Sequence, residues 1–370
     1  MRATMLFPLF PLFPLLALAA CASSPRPAAV AGEVMPHVER PLLIAHRGAS
    51  AVMPEHTLAA YARAIEDGAD AIEPDLVSTR DGVLVARHEN EIGGTTDVAA
   101  HPAFAARRTR KQIDGDWVDG WFTEDFTLAE LRTLRAREPR PALRPTAHDG
   151  QFDVPTLDEI IALAADAAAR TGRDIALVPE LKHPSYFRAI GLPMEERLLT
   201  ALAAHPYTRR APVIIQSFET ANLRALRPRL GTLPDVRLLQ LLGDPRSRPF
   251  DVAADDGPTY GEMMQPDGLR AIAAYAELIG PPFQVLQLQR GRDGRLRSPL
   301  IDAAHATGLQ VMPYTFRPEN TYLPAAYRSG DNTARHDAGS IRHIRDHVEA
   351  GIDGLFADDP ALARRALDGE

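Results

Sequence analysis

Residues 42–88, LLIAHRGASAVMPEHTLAAYARAIEDGADAIEPDLVSTRDGVLVARH, decide how the rest of the chain reads. An apolar run at 42–45 stops at the polar His46-Arg47-Gly48, which predicts a short buried strand. Residues 55–67 carry apolar side chains at helical spacing, and 71–77 return to an apolar run. Beyond them Asp81-Gly82 separates two alternating apolar runs, the pattern of a tight hairpin. With the turn centred near residues 80–81, position 73 pairs with about 88 and position 75 with about 86. The fold-back brings His88 beside Glu73 and Asp75. Residues two apart on a strand share a face, so both carboxylates can address one cation.

Working outward, the strand-helix alternation persists. Strands are predicted at 174–179, 212–216, 237–242, 283–288, 310–315 and 354–357. Amphipathic stretches at 157–169, 194–204, 269–278, 299–306 and 340–350 lie among them. Strand-helix units repeated eight times predict parallel strands with right-handed crossovers, closed into a TIM (β/α)8 barrel with an inserted hairpin. No G-x-G-x-x-G follows a strand, which removes the commonest reason to prefer an open doubly wound sheet. Two insertions, 97–153 with both tryptophans (Trp117, Trp121) and 243–266, are long enough to lie over the C-terminal face and shape a pocket. The third strand runs into Pro179-Glu180-Leu181-Lys182. Neighbouring strands stand about 4.8 Å apart, so Glu180 can complete a site begun by Glu73 and Asp75. Three carboxylates suit a hard cation, Ca²⁺ or Mg²⁺, rather than zinc. Lys182 shares a face with Glu180 and can neutralise an anionic substrate; read alone, the two are equally a strand-end salt bridge.

Composition narrows the classes. Lys+Arg 41 against Asp+Glu 49 gives a net charge of -8, which leaves no basic footprint for nucleic acid. One cysteine excludes an internal disulfide and a Cys-based zinc cage. Residues 1–20, with Arg2 and an apolar run interrupted by Pro8, Pro11 and Pro14, read as a secretory signal peptide rather than a membrane span. Leu18-Ala19-Ala20-Cys21 resembles the lipobox of bacterial lipoproteins, with the sole cysteine at the lipidated position. That resemblance implies a lipid anchor in the cell envelope, facing the periplasm. Ala22 in place of Asp favours the outer membrane, residues 21–41 read as a flexible tether, and 42–370 form the barrel domain.

Taken together, His46-Arg47, Pro54-Glu55, Glu73-x-Asp75, Asp81-Gly82, His88 and Pro179-Glu180-x-Lys182 resemble the glycerophosphodiester phosphodiesterase family of TIM-barrel enzymes. Pro54-Glu55-His56-Thr57, Gln216-Ser217-Phe218, the 313–317 segment PYTFR and the 353–358 segment DGLFAD are similar to its periplasmic, calcium-dependent branch. The resemblance implies hydrolysis of glycerophosphodiesters to sn-glycerol 3-phosphate and an alcohol. It implies His46 and His88 as general acid and base, and Arg47 and Lys182 as substrate phosphate contacts. Glu73, Asp75 and Glu180 would be ligands of one divalent cation, Ca²⁺ favoured over Mg²⁺. One departure stands out: Glu89 follows the second histidine where the family usually has Asp, which bears on how His88 is oriented. Ser185 and Ser217 lack a nucleophile-elbow context, against a serine hydrolase. His183, His205 and His305 read as polar surface groups, and His343 and His347 as an i, i+4 pair without a catalytic acid. Two other readings stand beside this one: a related barrel enzyme acting on phosphoinositides or lysophospholipids, and a non-catalytic surface-binding lipoprotein.

Overall fold

The computed structural model describes residues 40–370 apart from 234, 254 and 255, so the signal segment 1–20, Cys21 and nearly all of the tether lie outside the described residues. The apolar runs form eight barrel strands in chain order: Leu42–His46, Ala71–Glu73, Ala176–Leu177, Val213–Ser217, Val236–Leu241, Leu278–Gly280, Gln310–Val311 and Gly354–Ala357. The first seven pair in parallel with their sequential neighbours, and the eighth pairs with the first. Between the seventh and eighth, Asp353 N–H donates to Val311 O at 2.9 Å and Phe356 N–H to Pro313 O at 3.1 Å, which closes the ring.

The two-residue period of a strand explains the two layers of the core. Ile44, Ala71, Ala176, Ile214, Leu239, Leu278, Met312 and Phe356, one from each strand or its continuation, meet in a single buried cluster that fills the lumen. Their neighbours Leu43, Ile72, Leu177, Ile215, Leu238, Ile279, Val311 and Leu355 belong to the larger cluster that also takes in the buried faces of the helices. Those helices start where the sequence supplies caps. Thr57 accepts from Ala60 N–H at the head of Leu58–Glu66. Thr156 and Glu159 form a reciprocal capping box on Leu157–Thr171, which ends at Gly172 with φ +69°.

Three expectations are corrected. The sixth barrel strand is Leu278–Gly280, not 283–288, where Phe283–Leu286 forms a single 3₁₀ turn. Only three residues reach between Leu239–Leu241 and Gln310–Val311, and Pro281-Pro282, neither of which can donate a hydrogen bond, reduces the continuation to a single bridge in which Tyr314 N–H donates to Pro281 O at 3.0 Å. The amphipathic stretch at 269–278 is correspondingly a helix at Pro266–Ala273. The third is the hairpin register. Asp75–Ser78 pairs antiparallel with Leu84–Ala86 as Leu76↔Ala86, Val77↔Val85 and Ser78↔Leu84, so position 75 faces 87 and the expected pairing is off by one. The turn centres later because Gly82 takes φ +83° while Thr79 N–H bonds Val83 O at 3.0 Å.

Pro74 splits the second strand into Ala71–Glu73 and Asp75–Ser78, and the second half pairs with Glu180–Leu181 in the register Asp75↔Glu180. The first insertion forms its own hairpin, Thr109–Ile113 with Asp116–Gly120. It is tied to the barrel by Arg144, buried, which pairs with Glu319 at 2.7 Å and with Asp358 and donates to Ser50 O at 3.0 Å. The second insertion carries two one-turn helices, Phe250–Ala253 and Tyr260–Met263.

The loop after the first strand turns sharply at Gly48, where φ is +83° and an added Cβ would sit 2.7 Å from the backbone carbon of Ala60. Gly48→Ala is expected to cost about 2 kcal/mol or more, from the disfavoured backbone conformation and the clash together. Chemical denaturation reads this directly, and an unchanged midpoint would contradict the tight approach of this loop to the first helix.

Candidate active site

The second and third strands end side by side, and the register Asp75↔Glu180 puts three carboxylates together. Glu73, Asp75 and Glu180 are all buried, and one oxygen from each lies within 4.8 Å of the others. Such proximity between like charges is unfavourable away from water. Burial and then the charges of Asp75 and Glu180 push Glu73 well above the usual carboxylate range. Burial, only partly offset by Lys182, raises Glu180 to about 8. Asp75 goes the other way, because Lys182 and His56 more than offset its burial. The cationic and donor groups nearby are few: Lys182 Nζ lies 2.8 Å from Glu180 Oε1, Gln216 donates to Glu73 Oε1 at 2.8 Å, and the Arg47 backbone N–H donates to Glu73 Oε2 at 3.1 Å. His56 Nε2 stands 2.9 Å from Asp75 Oδ2, while the other oxygen, Oδ1, is buried without any hydrogen-bond partner. An all-oxygen donor set with an orphaned buried carboxylate oxygen fits a hard divalent cation.

The two histidines reach this centre from opposite sides of the chain's folding pattern. His46 ends the first strand in register with Glu73, its Nε2 4.0 Å from Glu73 Oε2. Its Nδ1 donates to Asp358 Oδ1 at 2.6 Å, which fixes the ring and leaves Nε2 as the free nitrogen. Asp358 is held in turn by Arg144 and by Arg317 Nε at 2.9 Å. Burial, then the charge of Arg47, lowers the His46 pKa to about 3. His88 follows the hairpin at the cavity rim, with Nδ1 2.9 Å from Glu89 Oε1. Removal from bulk water, with Arg47 and Lys182 nearby, lowers it to about 4. Arg47 itself sits at φ +62°, a conformation that points its amide at Glu73 while its guanidinium lies 3.1 Å from Glu55 and 3.6 Å from Asp75.

One cavity of about 700 Å³ is lined by His46, Arg47, Glu73, His88, Glu180 and Lys182 together, with Phe218, Tyr314, Arg140 and Arg317. Asp75 lies just beneath its surface, 3.8 Å from Lys182. The seven candidates for proton exchange, phosphate binding and metal ligation within the described residues are therefore brought to one place. The sequence reading missed Asp358, Arg144, Arg317, Gln216 and His56 as members of this centre. His56, Gln216, Arg317 and Asp358 lie within the segments that carry the family resemblance, and Gln216 and Asp358 also stand at the ends of predicted strands, as Glu73 does; Arg144, inside an insertion, carries no signal. His183 is not a free surface group but lies between Glu89 and Asp114, at 3.0 and 2.6 Å. His343 and His347 are buried against Phe283 and Phe316, and among the described residues the acidic triad is the only cluster of three or more such side chains placed to hold a metal ion.

A closed (β/α)8 barrel whose strand ends gather three carboxylates, two imidazoles and a guanidinium around one cavity defines a phosphate-ester hydrolase that uses a divalent cation. The model of the glycerophosphoryl diester phosphodiesterase family matches residues 46–362, and the chain belongs to that family. A glycerophosphodiester phosphodiesterase of Arabidopsis thaliana is 34% identical over 339 residues, covering 86% of this chain and 84% of the relative. One from Haemophilus influenzae is 26% identical over 349 residues, covering 89% and 90%. Among solved structures, a phosphodiesterase from Oleispira antarctica in complex with the product sn-glycerol-3-phosphate superposes with a TM-score of 0.56 at 18% identity, covering 89% of this chain and 97% of that one. Its fold is the fold described above.

Binding of a divalent cation to the native triad alone is expected to raise the melting temperature. At a hundredfold excess over Kd the stabilisation is about 2.7 kcal/mol. Glu73→Gln should abolish most of that shift, and a shift that survives in this variant would place the cation elsewhere.

Proposed function

We propose that this protein hydrolyses glycerophosphodiesters, the deacylated head groups of phospholipids, to sn-glycerol 3-phosphate and a free alcohol, with Ca²⁺ favoured over Mg²⁺ at Glu73, Asp75 and Glu180. The observation that carries the reading is the convergence of His46, His88 and the acidic triad on one cavity. The product bound in the Oleispira antarctica phosphodiesterase, a barrel of the same kind, supports it. Calcium is favoured by the resemblance of the 313–317 and 353–358 segments to the calcium-dependent branch.

A phosphodiester repels an incoming nucleophile and holds a leaving alkoxide too basic to depart unaided. The cation would supply charge neutralisation at the phosphate oxygens. Arg47 and Lys182, the cationic side chains nearest the triad, would hold the phosphate and offset the charge that builds up in the transition state. His46 and His88 would exchange the protons, one accepting from the attacking hydroxyl and the other giving to the departing oxygen. Both imidazoles are neutral near pH 7 in the free protein, because their pKa values lie at about 3 and about 4. The acid partner therefore takes up its proton when the anionic substrate arrives and raises its pKa. Asp358 keeps the His46 ring in the tautomer that turns Nε2 to the substrate.

The deciding experiment removes the cation with EDTA, then titrates Ca²⁺ and Mg²⁺ back separately while following sn-glycerol 3-phosphate release from glycerophosphocholine and glycerophosphoethanolamine, with lysophospholipids beside them. Release should vanish and return, more strongly with Ca²⁺. Under the same conditions His46→Ala and His88→Ala should each lose about 10²–10⁴ in turnover with the fold intact. Activity indifferent to chelator removes the cation from this account, and lysophospholipids as the better substrates would favour the related barrel enzyme of different specificity.

We further propose lipidation at Cys21 and residence in the cell envelope, on the periplasmic side of the outer membrane. The support is Leu18-Ala19-Ala20-Cys21 and Ala22 alone. Cys21→Ser should move the protein from the membrane to the soluble fraction of a bacterial host; continued membrane association would refute the anchor.

A further inference from the structure

Glu89 stands where the family usually has Asp, and its extra methylene adds a rotatable bond that must be frozen if the carboxylate is to hold His88. About half of the Glu89 side chain is exposed, so packing does not freeze it. Two imidazoles do. Glu89 Oε1 lies 2.9 Å from His88 Nδ1, and Oε2 accepts a hydrogen bond of 3.0 Å from His183 Nε2. His183 Nδ1 donates in turn to Asp114 Oδ2 at 2.6 Å. Ionised carboxylates only accept, so a ring that donates both nitrogens to them is an imidazolium. Although burial works against the charge, Asp114 and Glu89 raise the His183 pKa to about 9.

The backbone takes positive φ at two points of this chain of contacts. His183 has φ +47°, and so does Asp114, in the turn of the inserted hairpin Thr109–Ile113 with Asp116–Gly120. At Asp114 this is the ordinary conformation of a two-residue Asp-Gly hairpin turn; at His183 the left-handed region is sparsely populated for a residue with a Cβ, and a backbone held there by its surroundings points to a role. The charged groups that share the adjoining recess of about 510 Å³ are Lys182, Glu180, Glu219 and Arg248, none of which pairs with His183.

We propose that His183, clamped by Asp114 from the tip of the inserted hairpin, is a positioning residue that fixes Glu89 and, through it, the ring of His88. The proposal rests on the reading that His88 exchanges a proton with the substrate. An aspartate at 89 would reach His88 and no further; the glutamate spans back to His183, and the hairpin tip becomes part of what holds the catalytic ring.

The test is a double-variant cycle between positions 89 and 183 in the full-length protein with saturating cation. His183→Ala is expected to lower kcat about tenfold with KM nearly unchanged. The same change in the Glu89→Asp background should cost less than about twofold, because the shorter acid no longer spans to residue 183. Asp114→Asn should lower kcat by about threefold. The ¹⁵N imidazole resonances of His88, recorded without substrate, should show one Nδ1–H tautomer in the native protein and averaging of the two in His183→Ala. Equal losses of kcat in both backgrounds, or an unaltered kcat with unaltered His88 resonances, overturn the proposal. Should His183→Ala fail to fold, His183→Gln, which keeps a donor toward Glu89 but no charge, takes its place with the same two readouts. A native protein that cleaves no glycerophosphodiester defeats the hydrolase reading instead, and the His88 resonances still decide whether His183 positions the ring.

Discussion

Three buried carboxylates within 4.8 Å of one another are an arrangement that a folded chain pays for in stability, and most of the surrounding structure makes sense as a response to it. Lys182 follows Glu180 by two residues and pairs with it; Arg47 turns through a strained backbone to reach Asp75 while giving its amide to Glu73; Gln216 arrives from the fourth strand with a further donor. These groups lessen the repulsion without abolishing it, since Glu73 and Glu180 still hold on to protons more tightly than exposed glutamates do. A divalent cation completes the balance, and that unmet demand for positive charge gives the barrel its chemistry.

The barrel is suited to this because its strand ends are rigid and close together. The lumen side chains fill the space below, so the carboxylates rest on a packed floor and have few ways to move apart. The split at Pro74 adds a refinement. It ends one pairing after Glu73 and starts another at Asp75, so the two acids sit at the junction between the closed barrel and the hairpin that leads to His88.

What could be read in the sequence was local. The alternation of strands and helices, the Asp81-Gly82 turn and the acids two apart depend on neighbours in the chain, and they specified the barrel, the hairpin and the triad. The register missed by one because a turn's centre shifts with a single backbone dihedral, here that of Gly82. The sixth strand was misplaced because three residues with two prolines behind them leave a weaker periodic trace than the apolar 283–288 run next to it. Long-range partners left no local trace. Nothing near His46 names Asp358, and nothing near Glu89 names His183 or Asp114; they meet only because the barrel closes and the first insertion folds back over it.

The contact between His46 and Asp358 spans 312 positions and joins the first strand to the last. Arg144 ties that same aspartate to an excursion from the middle of the chain. The orientation of the His46 ring therefore depends on ring closure itself: the triad and both imidazoles precede the eighth strand, while the anion behind the first ring follows it.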